Sequence, residues 1–375
     1  MLSYFVTRLF RAALTILLVM TFAFVVLRLS GDPASILLGP DAPTDSIEAF
    51  RAQWGLDDPI WKQYLAYLKS LAQLDFGVSM RDRSPAIDLV LERVPATLAL
   101  TVPTLLIQLG VGIPAGVYAA LHRESVADRG VIMLSIFGFT IPSFVMGLVL
   151  VLVFAVTLGW LPSGGQDSWQ HAILPIATMS VGGIGILARF SRSAMIEVMG
   201  QPYIRTAMAK GLSWRDVVWK HALPNASVPI VTIVGFMVGS LIAGAVVVES
   251  IFSWPGIGRL LIVSVSNRDL AVVQCLLLVI ASAMVIANLC VDFAYGLLDP
   301  RLRAKAASDM TAQATNITAA PTLVRRLRFR VPLLVAFGLG WLGLMVFTAV
   351  FADVIRPYDV TQMDLSARLV GPLSP

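Results

Sequence analysis

Long apolar runs dominate this 375-residue chain and restrict what it can fold into. A helix needs about 20 residues to cross the hydrocarbon layer of a bilayer. Runs of roughly this length lie near residues 9–29, 96–120, 131–160, 171–190, 228–248, 270–297 and 331–351. Only 14% of the residues are charged, against about a quarter in soluble domains. The sequence therefore predicts an all-α, polytopic helical membrane protein.

The distribution of Lys and Arg predicts the orientation of these spans. Basic residues concentrate beside residues 203–224 and in residues 301–330, and the short connection 161–170 has none. Because basic loops stay in the cytoplasm, the amino terminus and both basic segments are expected there. The net charge of +5 then reflects the membrane location. Membrane lipid is an expected partner, and nucleic acid is not.

Five parts are predicted along the chain. Residues 1–30 form a first span that is retained, because its apolar core is longer than that of a signal peptide. Residues 31–94 form a periplasmic loop, and residues 95–300 hold five further spans. Residues 301–330 form a cytoplasmic linker, and residues 331–375 contain an additional span and an outer tail.

The stretch 203–224, YIRTAMAKGLSWRDVVWKHALP, is the one long polar and basic segment between spans of the 95–300 part. Its first half is predicted to be a short helix that begins at Pro202 and has Ile204, Ala207 and Met208 on its apolar face. Gly211 is predicted to end this helix, because glycine adopts the left-handed cap conformation at little cost.

The second half of the stretch is predicted to be another short helix. Ser213 caps it, with Asp216 completing a capping box, and Pro224 ends it. Its apolar face consists of Trp214, Val217, Val218 and Ala222. A DNA-binding role is disfavoured because both ends are tethered to spans, and lipid contact would not require the bend. The two helices are therefore expected to dock a soluble partner.

The sequence lacks the motifs of common catalytic sites. It contains no G-x-x-x-x-G-K-[ST] phosphate loop, no H-E-x-x-H metal helix and no G-x-S-x-G elbow. No catalytic residue, metal site or bound cofactor is predicted. Energy for uphill transport would have to come from another subunit or from an ion gradient.

A few polar residues inside the spans are candidates for a translocation path. Gln108 lies in the second span, and Asn288 and Asp292 lie four residues apart on one face of the sixth. Polar side chains at this depth usually face protein or water. They could line a path, or form hydrogen bonds between helices, with Asp292 near the cytoplasmic boundary.

The segment ESIFSWPGIGRL, residues 249–260, lies within a predicted loop at 249–269. Trp254, Pro255 and Gly256 form its aromatic turn. Such a turn can dip into the membrane and act as an outer gate where protein covers its backbone. An interfacial aromatic belt with a tight turn explains the same residues equally well.

Several motifs in order resemble one family. They include GLDDPIWKQYLAYLKSLAQLDFGVS, PSFVMGLVLVLVFAVTLGWLPSGG, ARFSRSAMIEV, VVVESIFSWPGIGRL and NLCVDFAYGLLDPRLR, together with the 203–224 stretch. The chain up to about residue 303 resembles the permease subunits of bacterial dipeptide, oligopeptide and nickel ATP-binding-cassette importers. The resemblance implies an importer-type core of six spans in the bacterial inner membrane, with alternating access.

The resemblance also implies a role for the 203–224 stretch. In that family the corresponding loop, named for Glu-Ala-Ala, docks into a groove on the ATPase subunit. Arg205, Thr206 and Ala207 stand at the Glu-Ala-Ala positions, so the leading Glu is absent. The other residues implied in ATPase coupling are Lys210, Gly211, Leu212, His221, Leu223 and Pro224.

The partners implied are a second permease, two ATP-binding subunits that use ATP, and a periplasmic solute-binding protein. The tail, RRLRFRVPLLVAFGLGWLGLMVFTAVFADVIRPYDV, resembles the start of the partner permease. Peptides or related solutes are the expected cargo. A secondary carrier or channel without an ATPase, and a scaffold that transports nothing, are the alternative hypotheses.

Overall fold

A computed structural model describes residues 2–29, 33–39 and 42–298 of the chain. The predicted linker, additional span and tail lie outside these residues. The helices described are α1 (Leu2–Leu29), α2 (Pro33–Leu38), α3 (Thr44–Gln53), α4 (Ile60–Ala72), α5 (Ala86–Ile107), α6 (Ile113–Leu121), α7 (Val126–Thr140), α8 (Ser143–Leu150), α9 (Ile173–Met199), α10 (Pro202–Ala209), α11 (Trp214–Asp216), α12 (Leu223–Ile251), α13 (Ile257–Ser266) and α14 (Leu270–Leu298).

Short irregular helices extend several of these elements. The π-helical segment Gln108–Gly112 joins α5 to α6, Val151–Thr157 continues α8, and Val217–Ala222 joins α11 to α12. A 3₁₀ turn, Trp169–Ala172, precedes α9. Within the described ranges, five helices are long and apolar enough to cross a membrane, and a bent pair makes up to six. The predicted helical membrane fold is confirmed.

The bent pair corrects the prediction of one continuous third span at 131–160. α7 ends at Thr140, and the axis of the following helix differs by 99°. Pro142 is the physical cause, because the residue before a proline is driven out of the α region. Ile141 accordingly has an extended conformation with ψ of 120°.

The helix α9 lies at the centre of the bundle and packs against α6, α7 and α12. Glycines allow the close approach. A Cβ on Gly112 would lie 3.0 Å from the Cβ of Leu187, and one on Gly116 would lie 2.7 Å from the Cβ of Ser191. Small residues at such positions let helix backbones touch in membranes.

A second correction concerns residues 249–269, which were expected to form a loop. α12 continues to Ile251, and α13 occupies Ile257–Ser266, so only a short turn separates them. The side chain of Asp269 then accepts hydrogen bonds from the Ser79 hydroxyl and from the Met80 amide, at 3.3 Å for the latter. This carboxylate fixes the segment before α5 to the start of α14.

Candidate functional site

The 203–224 segment has the predicted bend. α10 ends at Ala209, and Gly211 has a φ angle of +80°, as the left-handed cap requires. The Gly211 amide donates to the Met208 carbonyl at 2.9 Å, which satisfies one of the free carbonyls at the end of the helix. The glycine stop predicted from the sequence is therefore confirmed.

The second half of the segment begins as predicted but ends differently. The Asp216 amide donates to the Ser213 hydroxyl oxygen at 3.2 Å, and that hydroxyl donates to the Asp216 carboxylate at 2.6 Å. The prediction that Pro224 ends the helix is wrong. Pro224 lies in the first turn of α12, where its missing amide is tolerated, and the Asn225 side chain donates to the His221 carbonyl at 2.6 Å.

Burial divides the apolar side chains of this segment into two groups. Ile204, Ala207, Val217, Val218 and Ala222 are buried, as expected, and they join a cluster with Leu187 and Met195 of α9 and Met237 of α12. Met208 and Trp214 were also predicted to face inward, but they are 41% and 50% exposed. The exposed apolar side chains, Tyr203, Met208, Leu212, Trp214 and Trp219, are termed the exposed apolar set.

The remaining predicted coupling residues differ in exposure. Arg205, Thr206, Lys210 and Pro224 are exposed, and His221 and Leu223 are half-buried. Lys220 forms an ion pair with Asp216 at 2.6 Å.

An ion pair ties α7 to α9. Arg192 donates from Nε and from a terminal nitrogen to the two carboxylate oxygens of Asp128, at 2.5 and 2.7 Å. Asp128 also accepts from the Glu124 amide at 2.9 Å. Such a two-point contact fixes direction as well as distance. It therefore sets the position of α9 three residues before Met195, which packs against the 203–224 segment.

A cleft of about 280 Å³ lies between the α7–α8 bend, α9 and α12. Gln108 lines it, and its amide nitrogen donates to the Met179 carbonyl at 2.9 Å. The Gln108 oxygen is buried and has no hydrogen-bond partner among the described residues. It lies against Gly183, where an added Cβ would be 2.8 Å away. A buried acceptor without a partner among the described residues thus lies in the wall of the cleft.

The other path and gate candidates lie in different environments. Trp254 is 3% exposed, and its indole nitrogen donates to the Ala96 carbonyl at 2.8 Å, so this ring belongs to the interior. Pro255 is half-buried and Gly256 is buried. Asn288 is exposed on α14, whereas the Asp292 side chain is outside those described. The described residues contain no cluster of potential metal ligands.

Comparison with known proteins identifies the family to which this chain belongs. Residues 112–304, just over half of the chain, match the family described as binding-protein-dependent transport system inner membrane component. The chain belongs to this family. Residues 1–101 match the N-terminal family of the same membrane components.

Relatives of this permease include the glutathione transport system permease protein GsiC of Escherichia coli strain K12. It is 40% identical over 306 residues, which cover 81% of this chain and 100% of that protein. GsiC of Shigella dysenteriae serotype 1 gives the same values. A solved structure of the MetNI methionine ABC transporter in inward-facing conformations matches 57% of this chain and 98% of its own, with 19% identity and a TM-score of 0.49.

The permease is therefore a transport subunit of an ATP-driven importer, with several spans in the inner membrane. Sequence reasoning missed two of its polar contacts, the Asp128–Arg192 pair and the buried Glu249. The position of Glu249 at the end of the apolar run of α12 is visible in the sequence, but its burial is not, because its partner Thr97 is 152 residues away. The Asp128–Arg192 pair had no local signal either, because its members are 64 residues apart.

Proposed function

We propose that the 203–224 segment is the docking surface through which an ATP-hydrolysing subunit drives this permease. The exposed apolar set carries the proposal. Trp219 is 67% exposed and Trp214 is 50% exposed, on a segment that also presents Arg205, Lys210 and Arg215 to solvent. Exposed aromatic residues surrounded by polar groups are typical of protein interfaces. Without the leading Glu, docking relies on shape and apolar contact.

Force applied at this surface would reach the spans through its buried face. Ile204 and Val217 are fully buried against the cluster that contains Met195 of α9 and Met237 of α12. Packed interiors resist compression, so a displaced segment carries its neighbours with it. Met237 also lines the cleft. A push on the segment would therefore change the width of the cleft.

The cleft is proposed to be this subunit's part of the translocation path. Gln108 would accept from a peptide N–H through its buried oxygen once movement of the helices uncovers that atom, and its amide nitrogen keeps one N–H beyond the bond to Met179. Hydroxyls of Ser143, Thr178 and Ser240 add polar groups to a mainly apolar wall. Asn288 and Asp292 stay proposed path residues, and they would act outside this cleft because no described residue of α14 lines it.

The cargo is proposed to be a short peptide or a peptide-like solute. GsiC, which is 40% identical, is named as a glutathione permease, and the cleft combines apolar walls with a few polar groups, as sites for small solutes do. The complete importer would contain a second permease, two ATP-binding subunits that use ATP and a periplasmic solute-binding protein. The amino terminus would be cytoplasmic, on the same side as the docking surface.

Binding of the cognate ATPase subunits to single-residue variants tests the docking proposal. Trp214→Ala and Trp219→Ala in membrane-embedded permease should each weaken binding, by about thirtyfold where the tryptophan is a 2 kcal/mol hot spot. Trp169→Ala is the matched control, because Trp169 is 76% exposed but precedes the opposite end of α9. Equal binding by all three variants and the unaltered chain would exclude this surface.

A further inference from the structure

A fully buried carboxylate lies at the end of the cleft that is remote from the 203–224 segment. Glu249, in the last turn of α12, is 0% exposed. One of its oxygens accepts from the Thr97 hydroxyl at 2.6 Å. The other accepts from the amides of Gly258 and Arg259 at 2.8 and 3.1 Å. Glu249 therefore satisfies free N–H groups at the start of α13 and joins them to α5.

The surrounding residues are fitted to this carboxylate. Thr97 donates to it and also accepts from the Ile257 amide at 2.9 Å, so one hydroxyl bridges α12 and α13. A Cβ on Gly256 would overlap the Glu249 carboxylate, so glycine is required there while the carboxylate remains in place. A Cβ on Gly258 would meet the Val246 backbone of α12 first and would lie 3.0 Å from the carboxylate.

The contacts hold the turn between α12 and α13 against the bundle. Within that turn, Trp254 donates its indole N–H to the Ala96 carbonyl, next to Thr97. The Phe252 carbonyl accepts from the Gly165 amide at 2.9 Å. The Phe252 ring lies over Gly147 of α8, where an added Cβ would be 3.3 Å from it. The turn therefore bridges α5, α8 and the connection before α9.

This turn lies directly beyond the cleft. Val248, the neighbour of Glu249, lines the cleft on α12, and Met146, the neighbour of Gly147, lines it on α8. Phe252 is 1% exposed between these two helices. A solute could leave the cleft in this direction only if the turn separated from α8.

We infer that Glu249 is a positioning residue that holds the 252–256 turn closed over the end of the cleft remote from the 203–224 segment. It acts by binding the start of α13 and Thr97 at the same time. The inference rests on the proposed function, because it takes the cleft to be the translocation path. On this inference, the Glu249 carboxylate keeps that end of the cleft closed together with the aromatic residues of the turn.

Two near-isosteric substitutions test this role in the assembled importer. Glu249→Gln keeps the shape, but its NH₂ group cannot accept, so either the Thr97 contact or the α13 contact is lost. Thr97→Val removes the bridging hydroxyl at constant size. Thr97→Ser keeps the hydroxyl and is the matched control. Asp269→Asn is the control for a buried acid at another helix start, since Asp269 is 3% exposed and lies before α14.

Hydrogen exchange is measured on the complex in nanodiscs, and passive efflux is measured on the complex in proteoliposomes. In Glu249→Gln and Thr97→Val, the amides of residues 252–260 should exchange about tenfold faster, as the loss of a charge-assisted hydrogen bond predicts. Efflux of preloaded glutathione without ATP should rise by a similar factor. Neither control should change the efflux.

The two readouts separate this inference from the proposed function. Unchanged exchange in both test variants would overturn the positioning role, whatever the importer transports. Faster exchange with unchanged efflux would overturn the gate, because the cleft would then not be the path. If Asp269→Asn raised efflux as much as Glu249→Gln, the gate would also be overturned, because the effect would then be a general loosening of the bundle.

Discussion

Replacement of Gly211 tests the bent docking segment most simply. The φ angle of this residue is +80°, and no atom lies within 4 Å of the position that a Cβ would occupy. Gly211→Ala therefore adds strain without a steric clash. A left-handed conformation costs a residue other than glycine about 1–2 kcal/mol.

The segment can relieve this strain by leaving the bent conformation. The population competent to dock, and with it the apparent affinity for the ATPase subunit, should fall by about five- to thirtyfold. Gly211→Asn should lower the affinity less, because asparagine tolerates this conformation. Gly211→Pro should lower the affinity most, because the proline ring fixes φ at about −65°.

Titration of membrane-embedded permease with the cognate ATPase subunit measures the effect. Gly200→Ala is the matched control, because Gly200 lies just before the same segment with a φ angle of −75°, and its added Cβ makes no contact closer than 3.4 Å. Unchanged affinity for Gly211→Ala, or an equal loss for Gly200→Ala, would refute the argument from backbone conformation.

Three further predictions concern packing, the ion pair and the cleft. Gly116→Ala should lower the thermal stability of the detergent-solubilised permease by about 1–3 kcal/mol, because it forces α6 from α9, whereas Gly130→Ala, with no atom within 4 Å, should not. Arg192→Met should cost about 1–3 kcal/mol in the same assay, because it leaves a carboxylate without its partner, and an unaltered melting curve would argue against the pair. Gln108→Leu should reduce peptide uptake while the importer still assembles. Gln274→Leu, which changes a buried glutamine outside the cleft, should leave uptake unchanged. Equal uptake by the two variants would show that Gln108 does not belong to the path.

The apolar runs and the helix signals predicted much of the fold. Hydrophobic length alone predicted five spans that the structure describes, near residues 9–29, 96–120, 171–190, 228–248 and 270–297, because the bilayer admits few other structures. Gly211 was predicted as a helix stop because its conformation depends on a local steric rule.

Features that depend on distant neighbours were not predicted. Whether Trp214 faces inward or outward depends on α9 and α12, which the local pattern does not include. The effect of Pro224 depended on its place in the first turn of α12, where its missing amide is tolerated. Glu249 resembles any polar residue at the end of a span until Thr97, 152 residues away, is brought beside it.

ATP-dependent uptake by reconstituted importer tests the central claim most directly. Proteoliposomes would contain this permease with its partner permease, its ATPase subunits and the solute-binding protein, and uptake of glutathione would be followed with and without ATP. Uptake is predicted only when the ATPase subunits and ATP are both present. Equal uptake by liposomes that hold this chain alone, without ATP, would contradict the account and identify a carrier or channel.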